Sequence, residues 1–218
     1  MQFDIITIFP ELFDTFKTTS VIKHAINKQV ITINIHNLRD YTDEKHNKVD
    51  DTSYGGGVGM ILMAQPIINA VKFIKSPNKK SHVVLLSPSP NFFNQKKAKT
   101  YAEDYEQVIL ICGRYEGVDE RVKQTVVDET ISIGEYVLTG GELASMVIVD
   151  TTSRMVKGFF EKNNVLENES YINGKYIEYP QYTKPEIVEG ISVPKVLISG
   201  NHQEILKWKE ANKVNYTN

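Results

Sequence analysis

Short apolar runs alternate with helix-like segments over the first 160 residues, and this alternation constrains the fold more than any other feature. Strands are predicted at residues 2–9, 30–36, 82–87, 108–112 and 129–133. Helical patterns separate them: Ser20 is a candidate N-cap for residues 21–29, apolar residues recur at helical spacing after Pro66, and residues 95–104 suit a surface helix. This order predicts an α/β fold with a mainly parallel sheet.

Two glycine-bounded loops begin where apolar runs end: CGRYEG at 112–117 and IGEYVLTGGE at 133–142. Glycines let backbone amide and carbonyl groups approach a ligand closely, so these loops predict a site for a flat, polar ligand. The chain has no GxxxxGK[ST] motif, and GGGVG at 55–59 departs from GxGxxG spacing, which argues against a P-loop and a Rossmann site. An alternative stays open here, in which the glycines only end helices and turn corners.

Charge and cysteine content narrow the class of protein. The 25 Lys and Arg against 27 Asp and Glu give a net charge of −2, so no global basic field attracts nucleic acid. Cys112 is the single cysteine, which rules out an internal disulfide and fits a reducing compartment. The histidines show no HExxH spacing, and we expect no tightly built metal site. With neither a signal peptide nor a membrane segment, we expect a cytoplasmic protein.

The polar segments suggest how the chain is organised. Residues 39–60 lack periodicity and form a candidate lid or substrate loop. A second polar stretch at 163–185 is typical of a linker or a second disordered loop, and a short arm and one amphipathic helix that carries Trp208 follow it. We expect domain 1–160, a flexible interdomain linker at 161–173 and a small C-terminal domain at 174–218.

Spacing alone assigns no catalytic roles to the charged residues. A helix starting near Glu116 would favour the acids Asp119 and Glu120 in its first turn through its dipole. Arg154, near the end of a predicted helix from Glu142, would by default be a dipole partner or form a surface ion pair. A general base cannot be chosen by spacing among the linker acids, which are Glu161, Glu167, Glu169 and Glu178.

The chain resembles one family throughout residues 1 to about 210. The resemblance is carried, in order, by NLRDYT, VDDTSYGGGVGM, LLSPSP, CGRYEGVDERV, SIGEYVLTGGELASM, SRMVKG, YTKPE and SGNHQEI. These motifs are similar to those of the bacterial tRNA (guanine-N1)-methyltransferases, the TrmD family of the SPOUT class. The resemblance implies a SPOUT-type mainly parallel sheet with a deep trefoil knot, plus a small helical C-terminal domain that binds tRNA and is shortened here. It also implies a homodimer whose active site is shared between subunits.

The activity implied by the resemblance is S-adenosylmethionine-dependent methylation of tRNA at N1 of guanosine 37, immediately 3′ of the anticodon. No ligand motif indicates Mg²⁺, although the ion is compatible with this activity. By similarity, the methyl donor contacts Leu86, Ser87, Pro88, Gly113, Tyr115, Glu116, Ile133, Gly134, Glu135, Tyr136, Val137, Leu138, Gly140 and Gly141.

The resemblance also assigns the catalytic residues. Arg154 would stabilise negative charge that develops on guanine O6, and Glu169 would take the N1 proton. The family's Asp-Ser-Phe appears here as Glu169-Ser170-Tyr171, which keeps the carboxylate but adds a methylene. Two alternatives to the methyltransferase stay open. One is a module of the same fold that binds S-adenosylmethionine or RNA with weak or no turnover. The second is an α/β enzyme that binds nucleotide phosphates in the glycine loops. The second predicts stabilisation by ATP or GTP rather than by S-adenosylhomocysteine.

Overall fold

The computed structural model describes residues 1–161, 166, 169–171 and 176–215. The chain divides into two compact units, Met1–Glu161 and Lys162–Asn218.

The first unit holds a sheet flanked by helices. Its strands are β1 Gln2–Thr7, β2 Thr32–Asn37, β3 Asp50–Asp51, β4 Ile61–Leu62, β5 Ser81–Leu86, β6 Gln107–Cys112 and β7 Glu129–Ile131. Its α-helices are α1 Asp14–Thr18, α2 Ser20–Asn27, α3 Ala64–Ile74, α4 Gln95–Asp104, α5 Arg121–Thr125 and α6 Glu142–Met155. Short 3₁₀ helices cover Pro10–Phe13, Leu38–Tyr41 and Lys45–Asn47.

The main sheet has five parallel strands in the order β2-β1-β6-β5-β7. Every residue of β6 is buried, as expected for a central strand covered on both faces. Alternate residues point to opposite faces: Ile5 and Leu110 pack with α2 and α6, whereas Ile6 and Ile111 pack with α3. The sheet confirms the predicted α/β class and the five predicted strands.

The expected helix near Glu116 is wrong, because α5 begins at Arg121. The backbone of residues 116–119 bonds instead to a distant segment, with the Glu116 amide donating to Met60 O at 3.0 Å and the Asp119 amide to Leu62 O at 3.0 Å. These bonds compete with helical ones, and the chain makes a turn here instead, in which the Gly117 amide donates to Arg114 O at 3.0 Å. Asp119 consequently pairs with Arg121, at 2.7 Å between carboxylate and guanidinium, rather than with a helix dipole.

Two smaller expectations also need correction. Ser20 is the first residue of α2, and the cap position belongs to Thr19, whose side chain makes no capping bond. The 39–60 segment is not wholly irregular, since it contains 3₁₀ turns and β3, which pairs antiparallel with β4. A two-residue strand is too short to produce a period that the sequence could reveal.

The second unit is small and mixed. β8 Tyr176–Ile177 pairs with β11 Val214–Asn215, and β9 Ile187–Val188 forms a hairpin with β10 Ile191–Ser192. Two helices follow the hairpin, α7 Lys195–Ile198 and α8 His202–Ala211, the latter being the predicted amphipathic helix. Most of the predicted linker lies outside the described residues, and its role stays a prediction. No helix in the described part of the chain is long and apolar enough to cross a membrane.

Candidate active site

A cavity of about 200 Å³ lies where β5, β6 and β7 end. Parallel strands place their carboxyl ends at one edge of a sheet, so the loops that follow them meet there. The cavity is lined by Leu86, Ser87, Pro88, Gly113, Arg114, Tyr115, Glu116, Gly117, Val118, Ile131, Ser132, Ile133, Tyr136, Val137, Leu138, Thr139, Gly140, Gly141 and Ala144.

The lining includes every residue predicted to contact the methyl donor except Gly134 and Glu135. Those two sit in a tight turn, in which Ser132 Oγ donates to Gly134 O at 2.8 Å. Glu135 is exposed at the tip of this turn. The structure thus gathers three separated sequence motifs around one cavity, while ligand contact by each residue stays a prediction.

Two glycines allow the walls of the cavity to approach each other closely. A Cβ on Gly113 would lie 3.1 Å from Leu86 O, and a Cβ on Gly141 would lie 2.7 Å from Cys112 Cα. The Gly141 amide donates to Gly113 O at 2.9 Å, which joins the loop after β7 to the loop after β6. Any side chain at Gly141 would therefore force backbone apart. These glycines bring backbone polar groups to a cavity that also has apolar walls, which suits a flat, polar ligand.

Arg114 is a lining residue to which sequence reasoning gave no role. Its Nε–H donates to Glu142 Oε1 at 3.0 Å, and its Nη1 donates to the carbonyl of Thr139 at 3.3 Å. Its guanidinium also lies 4.5 Å from the centre of the Phe9 ring. The position of an arginine inside the CGRYEG motif was the signal available, but its partners are separated from it in sequence.

The predicted substrate loop reaches the rim of the cavity. Gly59, near the end of this loop, lies against Glu116, since a Cβ there would be 2.8 Å from Glu116 Cγ. The Leu62 amide donates to Gly117 O at 2.9 Å. The loop carries a fully exposed Tyr54 and a nearly fully exposed Val58. These contacts place residues 59–62 beside the wall formed by residues 116–118, and the role of residues 39–60 as a lid or substrate loop stays a prediction.

The two predicted catalytic residues lie in different units. Arg154 is half-buried near the end of α6, with its guanidinium 5.1 Å from the centre of the Phe160 ring. Glu169 is half-buried in the second unit, where its amide donates to Leu166 O at 3.3 Å. The structure therefore describes the surroundings of each residue within its own unit, and the catalytic roles of both stay predictions.

Nucleophilic chemistry by the cysteine is disfavoured. Cys112 ends β6 and is buried, and this burial, together with the nearby Glu142 carboxylate, raises the pKa of its thiol far above the usual range. The thiol therefore stays protonated at neutral pH and acts as a packing group. Within the described ranges, no group of three or more His, Cys, Asp or Glu side chains is placed to hold a metal ion.

Comparison with known proteins decides the family. The family model described as tRNA (Guanine-1)-methyltransferase TrmD matches residues 1–218. The chain belongs to this family. Among its relatives, a tRNA (guanine-N(1)-)-methyltransferase of Clostridium botulinum (strain Kyoto / Type A2) is 49% identical over 218 residues, covering 100% of this chain and 89% of the relative.

Two further relatives carry the same name. The protein from Clostridium novyi (strain NT) is 48% identical over 217 residues, and that from Geotalea uraniireducens (strain Rf4) is 45% identical over 217 residues. The alignments cover 100% of this chain and, respectively, 88% and 87% of the relatives. Family membership confirms the predicted enzyme class, a tRNA (guanine-N1)-methyltransferase. It implies tRNA as the substrate and S-adenosylmethionine as the methyl donor.

Proposed function

We propose that this chain methylates N1 of guanosine 37, the nucleotide immediately 3′ of the tRNA anticodon, with the methyl donor bound in the cavity at the ends of β5, β6 and β7. The observation that carries the proposal is the convergence of the LLSPSP, CGRYEG and SIGEYVLTGGE motifs on that one cavity. Backbone groups near Gly113 and Gly141 would hold the polar parts of the donor. Apolar side chains such as Leu86, Leu138 and Ala144 would cover its flat ring.

The proposed fold includes a deep trefoil knot at this cavity. Three contacts support it. The chain leaves β7 at the sheet edge and contacts the segment between β5 and α4. There the Ser132 amide donates to Asn91 O at 3.1 Å, and the Phe93 amide donates to Ser132 O at 2.9 Å. The chain then reaches the loop that follows β6, where Arg114 and Gly140 form an antiparallel bridge, before α6 begins. This path passes alongside the β5–α4 connection, as a chain threading through that connection would.

The chemistry requires a base for the N1 proton and a cation for O6. When bound, S-adenosylmethionine supplies an electrophilic methyl group. The Arg154 guanidinium would face O6 and stabilise the negative charge that develops there, a role worth about 3 kcal/mol in comparable sites. The Glu169 carboxylate would accept the N1 proton as the general base. Phe160 would help to hold the Arg154 guanidinium, whose charge lies over its ring.

We further propose a homodimer in which Arg154 and Glu169 of one active site come from different subunits. Leu143 and Val147 lie four residues apart and therefore on the same face of α6, and they are 61% and 44% exposed. The opposite face of α6 is buried. Val137, in the preceding loop, is 83% exposed. A second copy of the chain packed on this face would remove these apolar side chains from water.

The second unit suits a role in tRNA binding. We assign residues 174–218 to a tRNA-binding domain and residues 161–173 to the linker. Lys209 Nζ lies 4.8 Å from the centre of the Tyr179 ring, and the Tyr182 side chain is 47% exposed beside Trp208. Aromatic rings close to lysines are typical of surfaces that contact single-stranded nucleic acid.

A methyl-transfer assay tests the proposal. Unmodified tRNA transcripts with guanosine or adenosine at position 37 are incubated with methyl-labelled S-adenosylmethionine, and the product nucleoside and its position are determined. We expect N1-methylguanosine at position 37 in the first transcript and no label in the second. Methylation at another atom or position, or tRNA binding without transfer, would contradict the proposal.

A further inference from the structure

A buried hydrogen-bonded relay connects the end of β1 to both walls of the donor cavity. It runs from Thr7 through Glu142 to Arg114. Thr7 Oγ1 donates to Glu142 Oε1 at 2.8 Å, and Arg114 Nε–H donates to the same oxygen at 3.0 Å. Arg114 and Thr139 line the cavity, whereas Thr7 and Glu142 do not.

Glu142 is the centre of this relay and is almost completely buried, at 2% exposure. It is the first residue of α6, where the helix dipole favours a negative charge. Its Oε2 lies 2.9 Å from Arg114 Nε but accepts no hydrogen bond from the described residues, so its pairing with Arg114 is electrostatic. A buried carboxylate depends strongly on each group that pairs with it.

Arg114 connects Glu142 to the second wall of the cavity, which is formed by residues 139–141. Its Nη1 holds the carbonyl of Thr139, and its backbone bridges Gly140. A Cβ on Gly140 would overlap both Arg114 Nε and Glu142 Oε2, so the ion pair occupies the space beside that glycine. The ion pair therefore helps to fix the separation between residues 113–117 and 139–141, together with the bond from the Gly141 amide to Gly113 O.

We propose that Thr7, Glu142 and Arg114 are positioning residues that fix the spacing of the two donor-binding walls and thereby set the affinity for S-adenosylmethionine. The inference rests on the proposed location of the donor in this cavity. Thr7 acts from outside the cavity, through Glu142. Its hydroxyl also accepts from the Phe9 amide at 3.0 Å, which fixes the direction in which it donates.

Thr7→Val tests the relay, because it removes the hydroxyl at nearly constant side-chain volume. Binding of S-adenosylhomocysteine to the full chain is measured by calorimetry, and methyl transfer is measured against donor concentration. We expect the Kd and the donor KM to rise about tenfold, the effect of losing a hydrogen bond to a charged group, with kcat within about twofold. Thr7→Ser retains the hydroxyl and should restore both values.

Thr152→Val is the matched control. Thr152 is also a fully buried threonine, it lies on α6, and its hydroxyl makes no hydrogen bond within the described part of the chain. This variant should bind the donor as the wild type does. Arg114→Lys provides a second test if Thr7→Val folds poorly, since one ammonium group cannot contact Glu142 and Thr139 together, and its Kd should also rise about tenfold.

The outcomes separate the relay from the proposed function. If the wild type binds S-adenosylhomocysteine and Thr7→Val binds it equally well, with only a lower melting temperature, the relay is wrong and the proposed function stands. An equal loss of affinity in Thr152→Val would also overturn the relay. If the wild type does not bind S-adenosylhomocysteine, both proposals are wrong.

Discussion

The amide of Gly141 donates to the carbonyl of Gly113 at 2.9 Å, and this bond closes the cavity between the loops that follow β6 and β7. Gly141→Ala should be strongly destabilising. Its Cβ would lie 2.7 Å from Cys112 Cα and 3.1 Å from the Gly113 amide nitrogen, and backbone atoms cannot rotate away. We expect a loss of about 1–3 kcal/mol in the free energy of unfolding, measured by urea denaturation, together with weaker S-adenosylhomocysteine binding.

Gly134→Ala is the control for this prediction. A Cβ on Gly134 would meet the ring of Tyr136, which is 55% exposed and can rotate into solvent. We expect a change in the free energy of unfolding within about 0.5 kcal/mol. Equal destabilisation by the two substitutions would show that the close approach of the two loops does not explain the glycine at 141.

Acid should weaken the edge of the main sheet through Glu129 of β7. Burial opposes ionisation of this carboxylate, but Lys97, Tyr101, Asn91 and His82 all contact it and lower its pKa from 4.5 to about 2. Because the folded pKa is depressed, its stabilisation is complete above about pH 4.5 and is lost as the pH falls through 2. The lowered pKa of Glu129 contributes about 3 kcal/mol to the free energy of unfolding, which solvent screening reduces to about 2 kcal/mol.

Urea unfolding at pH 6 and pH 3 measures this effect. Between these values the wild type should lose about 1.5 kcal/mol more stability than Glu129→Gln, which lacks the titrating group. Glu103→Gln is the matched control, because Glu103 is exposed on α4 and its carboxylate lies 3.8 Å from the Lys99 ammonium. Its pH dependence should follow the wild type. Parallel stability curves for the wild type and Glu129→Gln would contradict the assignment.

The sequence predicted the main sheet well, because parallel strands buried on both faces are continuous apolar runs. β6 is the clearest case, with six buried residues from Gln107 to Cys112. The glycine loops were predicted for a related physical reason: only glycine permits backbone approaches as close as that of Gly141 to Cys112. Both signals are local in sequence, so they can be recognised without knowing which distant residues meet in the folded chain.

The missing helix at Glu116 and the unassigned role of Arg114 both depend on residues far apart in the chain. The segment at Glu116 fails to form a helix because its backbone bonds to Met60 and Leu62. The role of Arg114 depends on Glu142, 28 residues later, and that of Glu142 on Thr7, 135 residues earlier. No periodicity or spacing rule connects such positions, so only the folded chain reveals them.

Glu169 is expected to act as the general base despite its extra methylene. Glu169→Gln keeps the shape of the side chain but cannot accept the proton, so kcat should fall by about 10²–10⁴-fold, measured by single-turnover methyl transfer. Donor binding should not change, because Glu169 is not among the lining residues of the cavity. Glu178→Gln is the control in the same unit and should retain activity. Full activity in Glu169→Gln with loss in Glu178→Gln would move the base to Glu178.

Mixing two inactive variants tests whether an active site is shared between subunits. Arg154→Ala retains Glu169, and Glu169→Gln retains Arg154, so each homodimer should be inactive. If each site takes Arg154 from one subunit and Glu169 from the other, a mixed dimer has one intact site and one doubly defective site. Random reassortment makes half of the dimers mixed and should restore about a quarter of the wild-type sites. The measurement is methyl transfer after the two variants are unfolded together and refolded, with each variant refolded alone as the control. If both residues of a site came from the same subunit, mixing would restore no activity.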